Sequence, residues 1–298
     1  MVQSNILLQA RLIRRSVRRA NQSLRYGRAS LKVAPILFAI SFPKSGTHLL
    51  TQVLKGFTHI GPMVDSGLPA VLMYEGDTGR QRSEHEILRD LERLSPGDIA
   101  YGHLHATPGL VPPLCRQGVA PFFILRDPRD VVVSHVYYVT EMEPNHIYHH
   151  YYRNVLKTFE ERLHASIEGF RIVESEIANE NTVRACLPNI RERFEPYIKW
   201  LDHPEVLELR FEDFVTKRPW VIGRVFDHAI ARGLEPSCER ETAIQILLRC
   251  IDPRSSPTFR SGRTGDWRNA FTPEHKRSFK DISGDLLIRL GYEDDYDW

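Results

Sequence analysis

The feature that most constrains how this chain can fold is a continuous apolar run, Ile36-Leu37-Phe38-Ala39-Ile40-Ser41-Phe42, which stops at Pro43 and gives way to Lys44-Ser45-Gly46-Thr47. A strand apolar at successive positions is covered on both faces, as in the middle of a parallel sheet. Beyond the loop, Leu49, Leu50, Val53, Leu54 and Phe57 recur at helical spacing, so strand, loop and helix open a βαβ unit. A second unit reads from Pro121-Phe122-Phe123-Ile124-Leu125 through Arg126-Asp127-Pro128 into a helix carrying Val131, Val132, Val133, Val136 and Val139. Pro128 suits the first helical turn, where its missing N–H costs nothing.

Two further strands are expected, over 99–103 and 206–211, and helices over 190–201, 243–250 and 275–290. The sum is an α/β chain with a central parallel sheet between helical layers, one domain over residues 31–298 after a separate segment 1–30. The stretch from Glu141 to Arg153 carries His146, Tyr148, His149, His150, Tyr151 and Tyr152 after Pro144 and reads as a loop or lid. Adjacent side chains point apart, so His149 and His150 make a poor metal pair, and no metal is expected.

The charge balance is 40 basic against 38 acidic residues, net +2, which argues against a nucleic-acid coat protein and makes any anion site local. Four scattered cysteines, Cys115, Cys186, Cys238 and Cys250, show no zinc spacing and read as reduced thiols. No apolar run approaches the roughly 20 residues that cross a bilayer, so a cytoplasmic location is expected. In segment 1–30, Arg11, Arg14, Arg15, Arg18, Arg19 and Arg25 interleave with Ile6, Leu7, Leu8, Leu12, Ile13, Val17 and Leu24. That is a basic amphipathic helix, either a solvated leader or a peripheral anchor on an anionic membrane through residues 5–25.

Three places could hold an anion. At Lys44-Ser45-Gly46-Thr47 a glycine-bearing turn aims backbone N–H groups and a helix N-terminus at one point, and Lys44 adds a full charge; the alternative is an ordinary turn with a surface lysine. The loop lacks the Gly-Lys-[Ser/Thr] order of nucleoside triphosphatases, which weighs against an ATP-dependent kinase. Arg126 leaves a strand's carboxyl end with Ser134 two helical turns on, unless Asp127 or Asp130 neutralises the arginine. The third is Phe259-Arg260-Ser261-Gly262-Arg263-Thr264-Gly265-Asp266-Trp267-Arg268-Asn269, an anion nest or a basic surface loop.

In this order, across residues 36–290, the three segments resemble the sulfotransferases that use 3′-phosphoadenosine 5′-phosphosulfate (PAPS), whose fold is related to the P-loop nucleoside triphosphatases. The resemblance implies that Phe42 to Thr47, with His48, holds the 5′-phosphosulfate, that Arg126 and Ser134 hold the 3′-phosphate, and that Arg260, Ser261 and Gly262 complete it. Tyr101-Gly102-His103-Leu104-His105 is similar to the family's Thr-His-Leu-Pro segment, which makes His103 the expected base, with His105 in the proline's place. By the same resemblance Lys44 offsets charge on the leaving nucleotide, Ser134 restrains Lys44 until the acceptor arrives, and no metal is needed. Three positions depart from the pattern. Leu49 stands where a tryptophan stacks on adenine, Phe211 where a tyrosine is usual, and Ser261 where there is a lysine. The expected activity is transfer of a sulfuryl group from PAPS to a hydroxyl of a carbohydrate, alcohol or phenol. The competing readings are a kinase and a nucleotide-binding protein without catalysis.

Overall fold

The computed structural model describes residues 2–171, 186–256 and 259–298. The chain forms two compact units, the first from Met1–Met73, Ser83–Leu125 and Lys199–Phe259, the second from Tyr74–Arg82, Arg126–Ile198 and Arg260–Trp298.

The first unit begins with helices α1 (Val2–Tyr26) and α2 (Arg28–Val33) and continues through β1 (Ile36–Ser41), α3 (Thr47–Gly56), β2 (Val64–Asp65), β3 (Val71–Leu72), α4 (Glu84–Glu92), β4 (Asp98–His103), α5 (Val111–Cys115) and β5 (Val119–Leu125). It resumes with β8 (Leu207–Arg210), α9 (Phe211–Thr216), α10 (Arg218–Ala231) and α11 (Arg240–Arg249). The strands form one parallel sheet in the order β2-β4-β1-β5-β8, with β3 also on β4. The architecture is therefore the expected α/β one, a central parallel sheet flanked by helices.

The apolar runs account for this sheet directly. Every residue of β1 and β5 is buried. Leu37 and Ala39 pair with Ala120 and Phe122 and meet Leu50, Val53 and Leu54 of α3, Val221, Val225 and Phe226 of α10, and Ala243 and Leu247 of α11. The alternate residues Phe38, Ile40 and Phe123 are buried as well. Each such side chain taken out of water contributes about 2 kcal/mol. The chain leaves β1 toward β4 on one side, then crosses to β5 on the other. Open α/β sheets have their ligand crevices at the carboxyl ends where strand order reverses in this way.

The second unit contains α6 (Pro128–Tyr137), α7 (Phe159–Glu168), the antiparallel pair β6 (Phe170–Arg171) and β7 (Cys186–Leu187), α8 (Ile190–Ile198), α12 (Trp267–Ala270) and α13 (Pro273–Arg289). Asp127 caps α6 by accepting the Arg129 N–H at 2.9 Å, and Pro128 occupies the first turn as expected.

Two expectations need correction. Phe211 is not the last residue of a strand but the first of α9, whose opening turn carries Glu212 and Asp213, charges that favour a helix N-terminus. The stretch 141–153 is not an open loop. Wide helical turns at Tyr138–Met142 and Tyr151–Val155 enclose it, and its rings pack on one another: Tyr151 stacks on Phe170 at 4.6 Å, and His146 lies 5.7 Å from Tyr138 and 5.2 Å from Tyr148. Buried Tyr152 bonds Ser166 Oγ at 2.7 Å. Aromatic packing supplies the stability that a loop of this composition would otherwise lack.

Among the described residues no helix is long and apolar enough to cross a membrane. In α1 five of the six arginines reach the protein. Arg15 forms a buried ion pair with Asp98 and donates to the Arg93 carbonyl at 2.9 Å; Arg19 reaches Asp98 at 2.9 Å and the Pro96 carbonyl at 3.0 Å. Arg18 and Arg11 donate to the carbonyls of Asp65 and Gly67, and Gln22 and Tyr26 to those of Thr58 and His59.

Candidate active site

The expected site residues follow the carboxyl ends of four adjacent strands. Lys44 to His48 come after β1, His103 ends β4, Arg126 directly follows β5 and Phe211 directly follows β8. In the first unit, the Lys44 loop is shaped by two left-handed residues. Gly46 has φ 103°, and Lys44, at φ 71°, is the one non-glycine residue with positive φ among the described residues. A Cβ on Gly46 would lie 2.7 Å from Phe211 Cδ2 and 3.0 Å from Ile124 Cδ1, so glycine is required by space as well as by backbone. Phe211 thereby backs the loop with its ring. The N-terminus of α3 has no side-chain cap and no acidic residue in its first turn, and buried Ser45 Oγ has no hydrogen-bond partner among the described residues. Uncapped N–H groups, an unpartnered buried hydroxyl and a lysine are groups that could receive an anion.

His103 is joined to this loop through Ser41. Its Nδ1 lies 3.0 Å from the Ser41 carbonyl oxygen and 3.1 Å from Ser41 Oγ, and Ser41 Oγ lies 2.6 Å from Thr47 Oγ1. A carbonyl can only accept, so the proton belongs on Nδ1 and the lone pair on Nε2. Burial pushes the His103 pKa down to about 4; the bond to the Ser41 carbonyl opposes this, and the charges of His48 and Lys44 add to it. The ring is neutral at physiological pH. His48 is lowered too, by burial and then by Lys44 and Lys55, so Lys44, His48 and His103 share one positive field. His105, lowered to about 4 by burial, follows on a segment fixed by Trp200, whose Nε1 donates to the Leu104 carbonyl at 2.7 Å.

In the second unit, Arg126, Ser134, Arg260, Ser261 and Gly262 belong to α6, its approach, and the loop before α12. Buried Asp130 organises them. Its carboxylate accepts the N–H groups of Gly265 at 2.7 Å and Trp267 at 3.0 Å, and Arg126 Nη2 approaches it at 3.5 Å while donating to the Arg263 carbonyl at 2.9 Å. Burial pushes the Asp130 carboxyl up, against the pull of Arg126 and the two N–H groups. Asp127 holds Arg129, which stacks on Trp267 at 3.8 Å and Trp298 at 4.5 Å. Arg260 pairs with Asp266 and lies over the Tyr137 ring at 4.6 Å, and Ser261 Oγ donates to Asp266 at 3.1 Å. Burial raises the Asp266 carboxyl, but Ser261, Arg260 and Arg126 outweigh it and hold the pKa below the usual range. Gly262 turns the loop at φ 63°, and Ser134 is buried on α6.

Two of these positions have roles that no sequence motif marks. Ser41 is the single polar residue inside an apolar strand, and that anomaly was its signal. Asp130 figured only as a possible partner for Arg126, which it is at 3.5 Å; it also receives two backbone N–H groups, which no side-chain pattern announces. A third grouping comes from distant chain positions: Cys115, His203 and Glu205, at the amino ends of β5 and β8, bring their ligand-type atoms within 4.8 Å of one another. Burial and then Glu205 push the Cys115 thiol up to about 11, against Arg232, so it keeps its proton.

The sequence matches no protein-family profile and no curated protein. Solved structures do match in shape. Mouse sulfotransferase SULT7A1 complexed with PAP aligns over 90% of both chains at 18% identity, with a TM-score of 0.55. Retinol dehydratase in complex with retinol and PAP aligns over 86% of this chain and 82% of the other, at 18% identity and a TM-score of 0.52. At such identity the likeness establishes the fold, which this chain shares with the mouse sulfotransferase.

Proposed function

We propose that the protein is a PAPS-dependent sulfotransferase that transfers a sulfuryl group to an acceptor hydroxyl. The observation that carries this reading is the Ser41–His103 link: a neutral histidine with its free lone pair on Nε2, tied to the same strand end as a lysine-bearing anion loop. In the proposed reaction the acceptor oxygen attacks sulfur, its proton passes to His103 Nε2, and the bond from sulfur to the bridging oxygen breaks. The electron pair leaves with the nucleotide, where Lys44 offsets the charge growing on the 5′-phosphate. Such transfer depends on positioning and on preorganised charge, as phosphoryl transfer does. With a pKa near 4, His103 is neutral over its charged form by about a thousandfold at pH 7, so it is available as a base.

The remaining roles follow the sequence resemblance. Ser45, Gly46, Thr47 and His48 take the 5′-phosphosulfate, and Phe211 supports the loop from behind. Arg126, Ser134, Arg260, Ser261 and Gly262 take the 3′-phosphate, with Asp130 and Asp266 holding the arginines in place. Fold similarity to structures crystallised with PAP supports the choice of nucleotide. The acceptor is a hydroxyl of a carbohydrate, small alcohol or phenol, held by residues within 61–94 and 141–181, of which 172–181 lie outside the described residues. The cytoplasm is the proposed place of work.

The test is sulfuryl transfer from labelled PAPS to a panel of hydroxyl acceptors by wild type, His103→Ala, Lys44→Ala and His105→Ala. Loss of transfer by the first two and its retention by the third is expected; full turnover by His103→Ala would remove it as the base. A thermal-shift comparison separates donors, because a ligand bound to the folded state raises stability with its concentration over Kd. Stabilisation by adenosine 3′,5′-bisphosphate and not by ATP is expected, and the reverse would favour a kinase. Binding without transfer to any acceptor would leave a non-catalytic nucleotide-binding protein.

A further inference from the structure

A helix on a protein surface normally turns its aliphatic face inward and its charges to water. Helix α1 does the opposite. Arg11, Arg15, Arg18, Arg19, Gln22 and Tyr26 grip the Asp98 carboxylate and six carbonyl groups of the first unit, as described above. On the other side Ile6, Ile13, Val17 and Leu24 stand 62%, 66%, 57% and 88% exposed. At 3.6 residues per turn these four fall within about 40° of one another around the helix and span about 27 Å along it. They are a straight apolar stripe with nothing of the first unit over it.

The charges beside the stripe select what covers it. Residues 1–64 contain no aspartate or glutamate, while residues 1–33 hold seven arginines and Lys32. Arg14, Arg28 and Lys32 are exposed, and no hydrogen bond or ion pair engages them among the described residues. On α2, Val33 adds an aliphatic side chain 69% exposed beside Lys32. A second copy of α1 laid on the stripe would set arginines against arginines, with no acidic residue of either helix to neutralise them. An anionic lipid surface accepts the aliphatic stripe between its acyl chains and the flanking cations among its headgroups.

We infer that α1 is a membrane-docking keel: its arginine face is the joint to the protein, and its aliphatic stripe enters an anionic lipid surface lying parallel to the helix. This alters the amphipathic-anchor expectation in one respect, since most of the arginines are committed to the protein and only those at the stripe's edge meet headgroups. It also fixes a direction. Arg15 and Arg19 hold Asp98, the first residue of β4, and His103 is the last, so the keel lies at the end of β4 opposite the one carrying the proposed base.

The test is co-sedimentation of the full chain with phosphatidylcholine vesicles with and without phosphatidylserine. Wild type is expected to bind the phosphatidylserine vesicles. The double variant Ile13→Gln/Val17→Gln, altered only at exposed positions, is expected to bind them about tenfold more weakly with an unchanged melting temperature. Arg14→Gln/Lys32→Gln is expected to lose the preference for phosphatidylserine over phosphatidylcholine alone. Failure of wild type to sediment, or equal sedimentation by Ile13→Gln/Val17→Gln, would overturn the inference. So would a wild-type dimer in light scattering that the same variant converts to monomer, which would give the stripe to a second copy.

Discussion

Ser41→Ala separates the two things Ser41 does. The substitution keeps the Cβ and the backbone carbonyl and removes one oxygen, which lies 2.6 Å from Thr47 Oγ1 and 3.1 Å from His103 Nδ1. Each net hydrogen bond contributes about 1 kcal/mol, and leaving the buried Thr47 hydroxyl short of a partner costs about 1 kcal/mol more, so the loss of stability should be about 2 to 3 kcal/mol. For a chain of this size that is a fall in Tm of about 3 to 5 °C. Catalysis should respond far less. The carbonyl at 3.0 Å still takes the Nδ1 proton and leaves Nε2 free, so kcat should fall by no more than about tenfold, or 1.4 kcal/mol. The assay pairs calorimetry with sulfuryl transfer at saturating PAPS. If Ser41→Ala abolished turnover as completely as His103→Ala while melting normally, the hydroxyl and not the carbonyl would be setting the histidine, and the tautomer argument would fail.

Three other outcomes are expected. The acid limb of the pH–rate profile should fall near pH 4 and not near 6.5, because the His103 pKa is lowered to about 4; a limb at 6.5 would mean that the working base is solvated. The same shift acts on stability. Since the unfolded chain binds this proton between pH 6.5 and 4 and the folded chain does not, His103 should weaken the fold by about 3 kcal/mol as pH drops through that window, and acid melts of His103→Gln should be correspondingly flatter. Asp130→Ala should strip the Gly265 and Trp267 N–H groups of their acceptor, cost about 3 kcal/mol and weaken adenosine 3′,5′-bisphosphate binding in calorimetry; unchanged affinity would separate the loop before α12 from nucleotide binding.

The sheet was legible because β1 and β5 are apolar at successive residues, a pattern that only burial on both faces permits. The Lys44 loop was legible for a related reason: strand, glycine and helix in immediate succession leave few geometries. Strands β2 and β3 were not, since two residues carry no periodicity. Helices α4 and α7 were overlooked although Ser83 with Glu86 and Thr158 with Glu161 are capping boxes that the sequence displays. At the site, side chains with unusual charge or spacing stood out, while contacts through main-chain atoms did not. Nothing in the residue pattern tells that His103 meets the Ser41 carbonyl or that Asp130 receives two backbone N–H groups. Nor does an amphipathic pattern reveal which face of α1 is turned to the protein, because arginine can satisfy carbonyls as readily as it can meet water.

The left-handed backbone at Lys44 bears on how this chain can change. A lysine held there costs about 1 to 2 kcal/mol that glycine would not. Directed evolution for heat tolerance alone would therefore favour glycine at position 44, removing the cation that the proposed chemistry needs. A thermostabilising library built on this scaffold should hold that codon fixed, and a loss of turnover that accompanies a gain in melting temperature should be sought there first.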